Sequence, residues 1–183
     1  MLIFISGISK SGKSSFAEKK LSELANKYNL QKIYLATSKV YDSEFLQRIE
    51  IHKLNRKNKN FITIEKSENL NEIINLIPEN SAVLLESLST LVANEMFYEN
   101  KIIKPEIVFK KICHDIANIN SKTKIFIIVS DDIFSDGIFY SNSTEQYIKL
   151  LGDLHVQIAS ESDEIYEVIS GIIFNYERTV KFK

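Results

Sequence analysis

The chain has 183 residues, 44% of them hydrophobic and 26% charged, which suits one folded domain built on one core over residues 1–183. A formal net charge of −1 provides no global field toward nucleic acid or anionic lipid, so any anion site must be local. The single cysteine, Cys113, excludes an internal disulfide and a cysteine-built metal cluster, and fits a reducing compartment.

The opening run MLIFISG lacks the basic leader of a secretion signal, and a polar, glycine-containing stretch follows it at once. No apolar stretch approaches the roughly 18 residues needed to span a bilayer. The default expectation is therefore a cytoplasmic protein with no membrane span and no nucleic-acid partner.

In chain order, four apolar runs have the β-branched and aromatic character of buried parallel strands: Leu2–Ser6, Lys32–Ala36, Ala82–Leu85 and Ile125–Ser130. Helical spacing lies between and after them. Ser14–Tyr28 places Ala17, Leu21, Leu24, Ala25 and Tyr28 on one side. Asp42–Asn55 aligns Phe45 and Ile49, Pro105–Ile119 aligns Val108, Ile112, Ile116 and Ile119, and Ser143–Ser160 aligns Tyr147, Leu150, Leu151, Leu154 and Ile158. The polar stretch Arg56–Asn60 reads as a helix end and turn. The tail predicts two further strands, Glu164–Ser170 and Ile172–Lys183, around Gly171. The expectation is an α/β fold, a P-loop NTPase-like domain whose mainly parallel sheet is flanked by helices and ends in an antiparallel edge. In such a sheet the ligand crevice lies at the carboxyl ends of the strands.

The first such end carries Gly7-Ile8-Ser9-Lys10-Ser11-Gly12-Lys13-Ser14, which fits G-x-x-x-x-G-K-[ST] in full, with Ser15 next along the helix. The loop must curl so that successive main-chain N–H groups point at a phosphate, and a side chain at either glycine would obstruct that path. The helix N-terminus adds its positive end. Lys13 can reach β- and γ-phosphate oxygens, and the Ser14 hydroxyl can ligate Mg²⁺. A hydrophobic strand before the motif and an amphipathic helix after it supply the context this chemistry needs. The site predicted is one for GTP or ATP.

Phosphoryl transfer also needs a carboxylate near the metal at the end of another strand, and Glu86 follows Ala82–Leu85 in that way. A helix-start glutamate reads the same in isolation. Asp131 and Asp132 follow Ile125–Ser130, either as metal ligands or as caps of the next turn. Glu44, Arg48, His52 and Arg56 recur every four residues and share one helix face. Flanking guanidinium groups disfavour the imidazolium and leave a lone pair for attack on phosphorus, while the arginines could hold phosphate oxygens. Taken on spacing alone, an exposed polar face with an incidental histidine is the commoner arrangement. His114 and His155 read as structural.

The chain resembles the bifunctional adenosylcobinamide kinase/adenosylcobinamide-phosphate guanylyltransferase family of cobalamin biosynthesis. The likeness runs in register through GISKSGKSSFAE, YLATSKVYDSEFLQRIEIHKLNR, FITIE, VLLESLSTLVANEMF and IASESDEIYEVISGI. Its most specific element is R-I-x-x-H, present as Arg48, Ile49 and His52. The resemblance implies phosphorylation of a corrinoid hydroxyl by ATP or GTP, followed by transfer of GMP from GTP through a guanylylated histidine. It places His52 as that histidine, Lys13 and Ser14 on phosphate and Mg²⁺, and Glu86 as the acid after the central strand. It also implies a homo-oligomer, a trimer. Two segments depart from the family pattern. Where the family reads N-E-V-G-x-G-I-V-P, this chain reads Asp131 to Phe139 as DDIFSDGIF, and where it reads G-R-x-N-Q, this chain has Gly152-Asp153-Leu154-His155-Val156. These changes put the acceptor in question and leave two alternatives: a kinase of another small hydroxylated metabolite, or a nucleotide-binding homologue without catalysis.

Overall fold

A computed structural model describes residues 1–39, 60–99, 101–134, 137–138 and 140–176. The predicted helix Asp42–Asn55, with Glu44, Arg48, His52 and Arg56, lies outside the described residues, as does the tail beyond Tyr176.

The elements are β1 (Leu2–Gly7), α1 (Lys13–Tyr28), β2 (Gln31–Ala36), β3 (Ile62–Glu65), a 3₁₀ segment (Leu70–Leu76), β4 (Ser81–Glu86), α2 (Leu88–Met96), β5 (Phe97–Tyr98), β6 (Lys101–Ile102), α3 (Pro105–Lys122), β7 (Ile125–Asp131), α4 (Asn142–Glu161), β8 (Glu164–Ile169) and β9 (Ile172–Tyr176). The seven-stranded sheet runs in the order β3-β2-β4-β7-β1-β8-β9. All its pairings are parallel except β8 with β9, so the expected antiparallel edge is present. The order makes β1 and β4 next-but-one neighbours with β7 between them, and the carboxyl ends of all three emerge side by side.

Alternation along the strands builds two cores. Leu2, Phe4, Ile33, Leu35, Val83, Leu85, Phe126 and Ile128 face α2, α3 and α4 on one side. Ile3, Ile5, Tyr34, Ala82, Leu84, Ile127 and Val129 pack with Ala17, Leu21 and Ala25 of α1 on the other. Burial on both faces explains why these strands read as unbroken apolar runs.

Helix ends follow local chemistry. Ser87 caps α2, its side chain accepting from the Thr90 amide, and Ser141 caps α4 by accepting from Thr144. Asn29 ends α1 in the left-handed region, φ 51°, and the Leu30 amide returns to the Ala25 carbonyl at 2.8 Å. Among the described residues no helix is long and apolar enough to cross a membrane.

Candidate functional site

β1 delivers the chain to Gly7 at the carboxyl edge of the sheet, and α1 starts at Lys13. The intervening turn is closed by a hydrogen bond from the Ser11 amide to the Ile8 carbonyl, 3.2 Å. Gly7 has no room for a side chain: a Cβ there would lie 2.4 Å from the Val168 carbonyl oxygen and 2.9 Å from Ser11 Oγ. Gly12, the residue before α1, adopts φ 97°, a conformation that side chains disfavour. Gly12 has no side chain to cap this end of α1, which leaves its first amides to an anion. Ile8, Ser9, Lys10 and Ser15 are exposed around the loop, whereas Ser11 is buried. The turn between β8 and β9 rests against the loop through a 2.9 Å bond from the Gly171 amide to the Ser11 carbonyl.

Three strand ends place side chains around this turn. Lys13 is buried, and its Nζ donates to the Ile8 carbonyl at 3.2 Å and pairs with Asp131 Oδ1 of β7 at 2.6 Å. Ser14 Oγ donates to Glu86 Oε1 at 2.5 Å. Ser89, in the first turn of α2, donates to Asp131 Oδ2 at 2.7 Å, and Tyr147 of α4 donates to the Ser89 carbonyl at 3.0 Å. Burial pushes the Tyr147 hydroxyl up to about 12, with Asp131 adding to it. Thus β1, β4 and β7 converge on one small polar cluster, in which Ser14 contacts Glu86 and Lys13 contacts Asp131.

Glu86 carries a further signature. Its Oε2 is buried and has no hydrogen-bond partner among the described residues. Burial raises its carboxyl to about 7, against the lowering effects of the Ser14 hydrogen bond and the Lys13 charge. A buried carboxylate oxygen left free beside a serine hydroxyl suits a divalent cation, which commonly takes one or two carboxylates and completes its shell with phosphate and water. Ser14 and Glu86 therefore fit Mg²⁺. Among the described residues no group of three or more His, Cys, Asp and Glu side chains could hold a metal by itself, so such a cation would depend on phosphate oxygens as well.

Asp131 and Asp132, left open between metal ligation and capping, divide. Asp131 turns to Lys13 and Ser89, whereas Asp132 Oδ1 accepts from the Phe134 amide at 3.2 Å and its own amide bonds the Gly7 carbonyl. His155 bonds Ser130 Oγ at 2.7 Å and sits edge-on to Phe4 and Phe134. His114 lies on the exposed side of α3 against Asn118.

Residues not singled out in sequence complete the neighbourhood. Thr37, fully buried after β2, bridges the Glu86 and Ser87 carbonyls through its hydroxyl at 3.1 and 2.9 Å. Asn94 of α2 donates to the carbonyls of Thr37 and Ser67 at 2.8 and 3.0 Å. The sequence signal for both was weak: a threonine ending an apolar strand and an asparagine within an apolar helix. The two segments that depart from the family pattern also meet in space. The Phe134 ring lies 5.1 Å from that of His155 and borders Gly152, where an added Cβ would approach it to 3.6 Å.

Comparison with known proteins bears on this site. The family described as cobinamide kinase/cobinamide phosphate guanyltransferase (CobU) matches residues 3–176. The bifunctional adenosylcobalamin biosynthesis protein CobU of Escherichia coli (strain K12) is 27% identical over 182 residues, covering 94% of this chain and 97% of that protein. Its namesake in Salmonella typhimurium is 28% identical over 184 residues, with the same two shares of 94% and 97%. Among solved structures, the flagellar accessory protein FlaH from Methanocaldococcus jannaschii superposes with a TM-score of 0.51 at 18% identity, over 95% of this chain and 75% of that one. At such an identity the likeness speaks for the fold alone.

Proposed function

Because the chain belongs to the cobinamide kinase/cobinamide phosphate guanyltransferase family and is a transferase of cobalamin biosynthesis, we infer that one domain performs both reactions at the Gly7–Ser14 loop. In the first, the γ-phosphoryl group of ATP or GTP passes to a hydroxyl of adenosylcobinamide. In the second, His52 attacks the α-phosphorus of GTP and pyrophosphate leaves; a phosphate oxygen of the phosphorylated corrinoid then attacks the same phosphorus, the P–N bond breaks to free His52, and adenosylcobinamide-GDP is formed.

The observation that carries this reading is the gathering of Lys13, Ser14 and Glu86 beside the loop, with Ser14 bonded to Glu86 and the Lys13 charge acting on the same carboxyl. The loop from Gly7 through Ile8, Ser9, Lys10, Ser11 and Gly12 would cradle the phosphates, with Ser15 in the first turn of α1. Lys13 would draw charge off the β- and γ-phosphate oxygens as the bond to the leaving oxygen breaks. Ser14 and Glu86 would hold Mg²⁺, which on binding neutralises charge building on the transferred group. His52 enters through the family resemblance, as a neutral imidazole to attack the α-phosphorus, and Arg48 and Arg56 enter through their four-residue spacing from it, as two guanidinium groups to grip the oxygens around it. The partners are then GTP or ATP and a corrinoid, with the protein acting in the cytoplasm as a homo-oligomer, a trimer by resemblance.

The decisive experiment is incubation with α-labelled GTP and Mg²⁺. It should give a protein adduct that is acid-labile and alkali-stable, and His52→Ala should abolish it. An adduct that survives that substitution removes His52 from the role. A second reading, a kinase for another hydroxylated metabolite, is favoured by one observation: Phe134, Gly152 and His155 lie together, so both departing segments change the same surface. Turnover of another alcohol, with none of adenosylcobinamide, would select it.

A further inference from the structure

The ammonium of Lys13, the group a P-loop uses on β- and γ-phosphates, already has an anionic partner. Asp131 Oδ1 lies 2.6 Å from it. The pair is built rather than incidental. β7 pairs with β1 in a register that sets Asp131 opposite Gly7, so the carboxylate is level with the start of the loop. Its second oxygen is fixed by the Ser89 hydroxyl at 2.7 Å, and the Ser89 carbonyl is in turn held by Tyr147. The Lys13 side chain is 7% exposed, which strengthens the pairing by excluding water, whereas Asp131 at 31% has an open side toward which it can swing.

Two anions cannot both hold one buried ammonium at hydrogen-bonding distance without repelling each other. A phosphate that approaches Lys13 must therefore displace Asp131 or bear its repulsion. Main-chain amides of the loop can grip a β-phosphate without Lys13, whereas a γ-phosphate projects beyond the loop and depends more heavily on Lys13 for its counter-charge. Resting on the reading that the loop grips nucleotide, we propose that Asp131 is a specificity-determining residue: an internal counter-ion of Lys13 that a nucleoside triphosphate has to displace and a diphosphate does not. The chain thereby gives up triphosphate affinity, and its preference for triphosphate over diphosphate is smaller than the loop alone would provide.

Equilibrium titration of the full chain with MgATP, MgADP, MgGTP and MgGDP tests this. Asp131→Asn and Asp131→Ala should each tighten triphosphate binding about tenfold, the scale of one charge-assisted hydrogen bond released, and change diphosphate binding less than about threefold. Agreement between the two variants assigns the gain to the lost charge rather than to a new amide donor. Ser89→Ala, which only loosens the carboxylate, should move triphosphate affinity the same way by less, and it carries the test should either Asp131 variant fail to fold. Unchanged or weaker triphosphate binding in these variants, or equal gains for both classes of nucleotide, overturns the proposal. If wild type binds nucleotide and the variants show no gain, only the role of Asp131 falls. If none of the proteins binds any nucleotide, the reading of the loop falls with it.

Discussion

Ser14 Oγ donates a 2.5 Å hydrogen bond to Glu86 Oε1, tying the first turn of α1 to the end of β4 two strands away in the sheet. The other carboxylate oxygen is buried without a partner among the described residues, and burial raises the group to about 7. A folded-state value above the ordinary carboxylate value means the native protein holds the proton longer than the unfolded chain. Glu86 therefore contributes stability at acid pH that is lost as pH rises from about 4.5 to about 7. Glu86→Gln keeps an acceptor for Ser14 and removes the charge. Its melting temperature should gain on wild type across that window and be no lower at pH 8, while Mg²⁺-dependent phosphoryl transfer falls by about a hundredfold or more. A variant that loses both stability and activity would mark Glu86 as structural.

Gly7→Ala should be costly for a reason that lies outside the motif itself. The added Cβ would meet the Val168 carbonyl oxygen at 2.4 Å, and Val168 belongs to β8, which is hydrogen-bonded to β1 and cannot yield as a side-chain tip would. Relief requires moving a strand, so a loss of about 2–3 kcal/mol is expected from the urea unfolding midpoint. A shift within experimental error would show that β1 and β8 are free to part.

Much of this was legible because the chemistry is local. The loop motif needs eight consecutive residues, and the helix after it is amphipathic on its own, so Lys13 and Ser14 could be placed without tertiary knowledge. Glu86 was reachable because a buried parallel strand ends where a ligand crevice begins. Ile62–Glu65 was harder to assign as a strand: it is four residues long and half exposed at the sheet edge, and so lacks an apolar run. Leu88–Met96 is buried on nearly every side and offers no clear polar face to count against. The partnership of Lys13 with Asp131 was not legible, since it depends on β7 lying between β4 and β1, a matter of strand order rather than of spacing.

Asn94 offers a test of how the crevice wall is held. It is 4% exposed, and its amide serves two carbonyls, those of Thr37 after β2 and Ser67 after β3. Asn94→Ala strands the buried Thr37 carbonyl, where an unsatisfied group costs about 1–3 kcal/mol, and removes a donor from the half-buried Ser67 carbonyl. The expected result is a drop in stability of about that size or somewhat more, with nucleotide affinity at the loop changed far less, because no atom of Asn94 reaches Lys13 or Ser14. Loss of nucleotide binding at full stability would reverse that assignment.

His155 should leave its mark in the opposite pH direction from Glu86. Burial between Phe4 and Phe134 lowers it to about 4, against the raising effects of Asp132 and Asp131. The unfolded chain takes up this proton near pH 6.5 and the folded chain only near 4, so stability is fully present above about 6.5 and is lost as pH falls toward 4. Over the shared range the two groups oppose each other, and the wild-type profile alone will show only their difference. His155→Gln retains a partner for Ser130 and removes the titration, so its stability should decline less than wild type's between pH 6.5 and 4, whereas Glu86→Gln should diverge from wild type as pH climbs. Urea melts at several pH values on the three proteins separate the two contributions. If the His155→Gln curve parallels wild type throughout the acid range, the imidazole is already solvated, and the Phe4–Phe134 pocket does not exclude water as its packing indicates.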